Sequence, residues 1–367
     1  MIRRVPLARR ALFQDRRRAA LAAGGVAAAL LLVLLLQGIF DGAMHRVTAY
    51  LRSSPADVIV SQQDVRTMHM SVSALDPDTP SRVRRVEGVA WAEAIRYTTT
   101  FVVAANGDQQ LSYVIGYDPS TGRGGPRRLS VGHRPGAGEI VIEQIAADRL
   151  GLHVGDGVNV FGTGFRVSGL FNGGTTIVNS IAFITADDFA AARGSDAIAY
   201  VFVGARPGVT ATQLAHRVGA ALPDDTVQTR AQFAHEEATL VRDMSADIMR
   251  IMSIIGLLIA LAVIALTLFT LTLSKLREHA IVKALGGRTR RLAGVVLVQA
   301  AWSVALALAL AVGVALALAA VIGQLNPAIA IAIQPESVLR VGVAAFVIGA
   351  VGALAPLRRV AVVDPAS

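Results

Sequence analysis

Lys275-Leu276-Arg277-Glu278-His279-Ala280-Ile281-Val282-Lys283-Ala284-Leu285-Gly286-Gly287-Arg288-Thr289-Arg290-Arg291 is a short basic connector between two long apolar runs. Residues 251–274 before it, 24 in all, carry no charge, and none occurs from residue 292 to residue 335 after it. Uncharged runs above about 18 residues are long enough to span a membrane, so the connector is expected at a membrane face. Six basic residues, Lys275, Arg277, Lys283, Arg288, Arg290 and Arg291, stand against one acid, Glu278. That excess puts the face in the cytoplasm. Leu276, Ala280, Ile281, Ala284 and Leu285 recur at roughly helical spacing, forming the apolar flank of a short helix that Gly286-Gly287 would end. Two readings are open for the flank: it packs on the membrane ends of its own spans, or it docks on a partner.

Working outward, the charge is positioned by topology. The chain has 367 residues, 53% of them hydrophobic, and a net charge of +9. Residues 1–18 hold seven Arg and one Asp, net +6; the connector adds +5 and the tail after Leu357 +1. Those segments carry +12 of the total +9, so the rest of the chain nets −3. Positive charge gathered at the ends of apolar runs faces anionic inner-leaflet lipid and does not form a nucleic-acid patch. The absence of cysteine excludes disulfides and thiolate metal sites.

Four spans are expected, at residues 19–40, 251–274, 292–322 and 341–357, with both termini (1–18 and 358–367) cytoplasmic and an outer loop at 323–340. The first run is long for a signal-peptide core, and no small-residue cleavage site closes it, so it reads as a retained anchor. Gly24-Gly25 offers a small face for helix packing, unless glycine is there only because spans are rich in it.

Residues 41–230 have ordinary charge density and form an extracytoplasmic α/β (α+β) domain inserted between the first and second spans. A strand at 58–61, a helix opened by Thr79-Pro80, and a hairpin turning at Asn106-Gly107-Asp108 make one edge. A strand at 200–203, a helix capped by Thr210 with Gln213, and a return strand at 227–229 make the other. The two similar units suggest a pseudo-repeated core with an insertion. In the insertion, Gly151 stops a short helix over 143–150 and Gly155-Asp156-Gly157 forms a tight turn, which accounts for Asp156 structurally. Residues 231–250 form a stalk helix running into the second span, with Phe233, Leu240, Val241, Met244 and Ile248 on one side.

The chain has no phosphate-binding loop, H-E-x-x-H motif or nucleophile elbow. His235-Glu236-Glu237 could hold a metal, but a solvated polar face is the simpler reading. Spans two to four hold no charge, which disfavours a carrier driven by protons or ions. These absences argue against an enzyme and leave no cofactor assigned to the chain.

Residues 277–287 resemble the cytoplasmic loop of the FtsX/MacB/LolC-type ABC-transporter permeases, close to R-E-I-G-I-R-K-A-L-G-A, with departures that include His279, Val282 and Gly287. Gln299 stands where that family often has Glu. Leu357-Arg358-Arg359 with Asp364-Pro365-Ala366 is similar to its closing segment. Gly138-Glu139-Ile140-Val141-Ile142, Leu150-Gly151-Leu152-His153-Val154-Gly155-Asp156 and Phe165-Arg166-Val167-Ser168-Gly169-Leu170 are similar to its MacB-like core domain. The resemblance implies a permease in the cell (inner or cytoplasmic) membrane, working as a homodimer. It makes Leu276, Arg277, Glu278, Ile281, Lys283, Ala284, Leu285 and Gly286 a coupling helix that docks on a cytoplasmic ABC ATPase carrying the ATP and Mg. It implies movement of stalk and outer domain for export of a substrate, with an accessory envelope protein as a further partner. The alternative within the family is signalling to a cell-envelope hydrolase without transport.

Overall fold

The computed structural model describes residues 16–69, 71–173, 179–274, 289–325 and 329–362. In chain order, α1 (Arg16–Val47) and α2 (Ala49–Ser53) lead to β1 (Val58–Gln62), α3 (Thr79–Arg84), β2 (Val89–Ala104) and β3 (Gln109–Tyr117). Next come β4 (Leu129–Gly132), β5 (Glu139–Glu143), α4 (Gln144–Leu150), β6 (Gly157–Val160), β7 (Thr163–Phe171), β8 (Ser180–Thr185) and α5 (Ala186–Arg193). The chain continues through β9 (Tyr200–Ala205), α6 (Ala211–Ala221), β10 (Asp225–Thr229), α7 (Arg230–Ser274), α8 (Thr289–Leu325) and α9 (Pro335–Val362). Two compact units result: Ala43–Ser245, and Met1–Gly42 together with Ala246–Ser367.

The first unit is built on one sheet of order β10-β1-β9-β2-β3-β8-β5-β7-β4, with β6 pairing β2 and β7. β1 lies antiparallel between β10 and β9, and β9 antiparallel between β1 and β2. The units β1-α3-β2 and β9-α6-β10 therefore interleave as split β-α-β motifs. The chain between β2 and β9 extends the same sheet rather than forming a separate layer. β2 spans 16 residues because it serves both halves: its start pairs β9, and its end pairs β3 and β6. The hairpin turn falls at Gly107, φ 90°, where the Asp108 N–H donates to Asn106 Oδ1 at 3.0 Å.

Period-two alternation divides the side chains of this sheet. On β3, Tyr113, Ile115 and Tyr117 join Leu51, Phe183, Tyr200, Phe202 and Phe233 in one core cluster. Val114 turns the other way, to Ile140, Ile142, Leu150, Val167 and Phe189 around α4 and α5. The capping box of α6 is complete: the Gln213 N–H donates to Thr210 Oγ1 at 3.3 Å and the Thr210 N–H to Gln213 Oε1 at 3.1 Å. Gly151, φ 65°, ends α4. Asp78 occupies the N-cap of α3, and Thr79-Pro80 open the helix.

In the second unit, Val304, Ala307, Ala311 and Ala315 of α8 pack on Val26, Ala27, Leu30 and Leu34 of α1 and on Val341 and Ala345 of α9. Trp302, Leu306 and Leu310 on another side of α8 are exposed. Apolar surface on every side marks a helix solvated by lipid or by other helices. Segments Ala23–Met44 and Ala301–Leu325 are long and apolar enough to cross a membrane. Close backbone approach occurs at Gly38 and Gly42, not at Gly24. The Ala332 N–H donates to Gly38 O at 2.8 Å, and a Cβ on Gly42 would lie 2.0 Å from Ala330 O. A Cβ on Gly24 would meet nothing within 4 Å.

Candidate functional site at the root of α7

The connector residues expected to dock an ATPase, Leu276, Arg277, Glu278, Ile281, Lys283, Ala284, Leu285 and Gly286, lie outside the described residues. The described chain reaches Ser274 at the end of α7 and resumes at Thr289 with α8. The structure speaks instead to the other end of α7.

That helix is fixed at its first turn. The Gln232 N–H donates to Thr229 Oγ1 at 3.2 Å and the Thr229 N–H to Gln232 Oε1 at 3.0 Å, a reciprocal cap. The Arg230 guanidinium donates through Nη1 to Ser54 O at 2.7 Å and to Arg52 O at 3.1 Å, and the Arg230 N–H donates to Asp57 O at 2.9 Å. One turn on, Phe233 is 0% exposed, with its ring edge-on to Tyr200 at 5.8 Å. Leu51 and Tyr50 belong to the same cluster, so the chain after α1 and the start of α7 share a core. Of the other expected packing residues, Val241 is buried and Leu240 half-buried, but Met244 is 53% exposed. The buried face therefore comprises Phe233, Ala234, Glu237 and Val241, an i, i+4, i+8 series with Ala234 beside it.

Glu237 sits in the middle of that face and corrects the reading of His235-Glu236-Glu237 as a solvated stretch: it is only 4% exposed. Its carboxylate accepts the Met68 N–H at 2.7 Å through Oε2 and the His69 N–H at 3.1 Å through Oε1. Three phenols surround the same segment. Tyr97 of β2 donates to Met68 O at 3.1 Å, Tyr200 of β9 donates to Thr67 O at 3.1 Å, and Tyr113 of β3 bonds His69 Nδ1. The segment 67–69 is thus held by hydroxyls from three strands and by one carboxyl from α7. Nothing in the sequence signals this, because the partners are backbone groups and the phenols come from strands far apart in the chain.

The electrostatics follow from burial. Burial pushes the Glu237 carboxyl up to about 7, against the downward pull of the two backbone N–H groups. Burial also raises the Tyr97 and Tyr200 phenols and lowers the His69 imidazole, keeping all three neutral near pH 7. Among the described residues Glu237 forms no ion pair, and no group of three His, Asp or Glu is placed to hold a metal. The arrangement can grip backbone and exchange a proton. It offers no activated nucleophile. Elsewhere Asp156 acts within its turn, accepting the His153 N–H at 2.7 Å.

Comparison with known proteins bears on both units. A model of the MacB-like periplasmic core domain matches residues 19–221, and a model of the FtsX-like permease C-terminal region matches residues 250–365. Uncharacterized ABC transporter permeases from two strains of Mycobacterium tuberculosis are each 28% identical over 253 residues. Those alignments cover 68% of this chain and 66% of the relatives, just under two thirds of their length. Among solved structures, the periplasmic region of MacB from Actinobacillus actinomycetemcomitans is 12% identical with a TM-score of 0.40, covering 51% of this chain and 94% of that one. The extracellular domain of the noncanonic ABC-type transporter YknZ from Gram-positive bacteria is 11% identical with a TM-score of 0.37, covering 47% and 98%. With one family model spanning more than half of the chain and a second reaching from α7 into its tail, the chain belongs to the FtsX/MacB-type ABC transporter permeases.

Proposed function

We propose that this permease couples a separate cytoplasmic ATPase to movement of its outer domain, for export of a substrate. The observation that carries the reading is α7. One helix runs from Arg230 to Ser274, the residue before the basic connector, and its first turn is part of the domain core through Phe233. A continuous helix leading from the domain core to a docking connector would convert a change at the ATPase into displacement of the domain. The reading has four spans, with α1, α7, α8 and α9 covering the four apolar runs. It has both termini inside, and lipid with a second permease copy over exposed residues such as Leu258, Trp302 and Leu306. ATP and Mg would be held by the ATPase alone.

The test is the connector. If its helix docks in a groove, Leu276, Ile281 and Leu285 are the apolar anchors, and losing one such anchor costs about 2 kcal/mol or more. Leu285→Asp or Ile281→Asp would also bury an unpaired carboxylate. A loss near 2.8 kcal/mol is about a hundredfold in affinity. Lys283→Ala at the rim should act mildly and depend on salt. Co-purification of the ATPase with each variant at matched expression measures this. Undiminished recovery with both Asp variants would remove the docking role. Stimulation of ATPase activity by a transported molecule would support export, whereas an outer-domain partner that is a cell-wall hydrolase would support signalling.

A further inference from the structure

We propose that Glu237 is a latch by which α7 holds the loop segment 67–69 on the outer sheet, so that displacement of the helix releases or re-seats that segment. This rests on the coupling role of α7 proposed above and assigns the place where the motion is delivered. Three observations carry it. The carboxylate is the only side-chain group of α7 bonded to the loop interior among the described residues: it takes two successive N–H groups, Met68 and His69. The outer contact, Arg66 with Glu236 at 3.5 Å, is exposed and contributes little. The same loop segment is bonded from beneath by Tyr97, Tyr113 and Tyr200, so helix and sheet grip opposite sides of one strip of backbone.

The chemistry favours a latch over a rivet. An ion pair would fix a buried carboxylate, whereas Glu237 has only neutral partners: backbone N–H groups, the neutral His69, the phenols and the flanking Phe233 and Val241. The cost of burying the carboxyl and the gain from its hydrogen bonds are of the same order. A modest pull along α7 can therefore break the contact. Release would bring Thr67 and Met68, both buried in the held state, toward a surface where Val72 is already 85% exposed.

The experiment uses the full chain with its ATPase in lipid nanodiscs. Amide exchange at Met68 and His69 reports the latch, and Val201 and Phe202 in β9 report that the domain stays folded. A spin label on Val72→Cys, in a chain without native cysteine, reports loop motion with the ATPase empty or nucleotide-locked. Glu237→Ala should speed exchange at Met68 and His69 at least about tenfold, since it removes bonds to a charged group. It should also abolish the nucleotide response at Val72. Glu237→Gln keeps an acceptor oxygen and should restore both. If Glu237→Ala does not fold, Glu237→Leu fills the volume without acceptors and serves in its place. Unchanged exchange in the folded variant overturns the latch, and so does a nucleotide response at Val72 that survives it. A wild type that shows the exchange pattern but no nucleotide response anywhere in the outer domain overturns the coupling reading and leaves the grip itself established.

Discussion

Glu237 and Gly42 are each explained by what surrounds them, and each gives a measurable consequence. The folded-state pKa of Glu237 is raised by burial to about 7 from an ordinary 4.5, so the folded domain holds this proton more tightly than the unfolded chain does. The stabilisation is full below about pH 4.5 and is lost as pH rises through about 7. Each pKa unit is worth roughly 1.4 kcal/mol. Thermal unfolding of the outer domain should therefore lose more stability between pH 5.5 and 8.5 in wild type than in Glu237→Gln. Parallel pH slopes would show that the proton binds elsewhere. At Gly42 a methyl group would collide with the Ala330 carbonyl, a backbone atom that cannot turn aside. Gly42→Ala should cost about 1–3 kcal/mol. Gly24→Ala, with open space around it, should be neutral or gain up to about 1 kcal/mol of helix propensity. Equal melting temperatures for the two variants would contradict the packing described for the segment after α8.

At the scale of elements, α7 shows what the sequence could and could not reveal. Its helicity and its continuity with the apolar run were legible, as were the β2–β3 hairpin and the α6 capping box, because each is written in adjacent residues. The apolar stripe and the buried face share Phe233 and Val241. Hydrophobicity picks Phe233, Leu240, Val241 and Met244; the residues buried in the domain are Phe233, Ala234, Glu237 and Val241, so the pattern does not reach Glu237. A polar residue at the centre of an i, i+4, i+8 series is invisible to a hydrophobic pattern, although the spacing from Phe233 to Val241 was there to be seen. β8 was missed for a related reason: Ser180-Ile181-Ala182-Phe183-Ile184 is buried on both faces and does not alternate. Truncation should follow the observed face. Phe233→Ala should destabilise the domain by about 3–5 kcal/mol, whereas Met244→Ala should stay within about 0.5 kcal/mol. Chemical unfolding followed by tyrosine fluorescence separates these cases, and a large effect at Met244 would mean that a partner covers it in the assembly.

For the whole molecule the governing asymmetry is the distribution of arginine. Basic residues crowd at the start of α1 and before it, around the connector and near the end of α9, while the outer domain is net acidic, as expected for a chain threaded by the positive-inside rule. A four-span permease with its domain outside places Ser195 and Thr289 on opposite sides of the membrane. The chain lacks cysteine, so single thiols report without background. The choice of site matters, since Ser112 and Ser168 are buried in the sheet and thiols there would be shielded whatever the topology. Ser195 lies exposed just after α5. In intact cells Ser195→Cys should react with a membrane-impermeant maleimide, applied where any outer envelope layer admits it. Thr289→Cys, at the start of α8 beside Arg288, Arg290 and Arg291, should react only after the inner membrane is opened. The prediction holds for any substrate, because it depends only on how many times the chain crosses between the two sites. Labelling of Thr289→Cys in sealed cells would put the connector outside, beyond reach of any cytoplasmic ATPase, and the coupling role of α7 would fall with it.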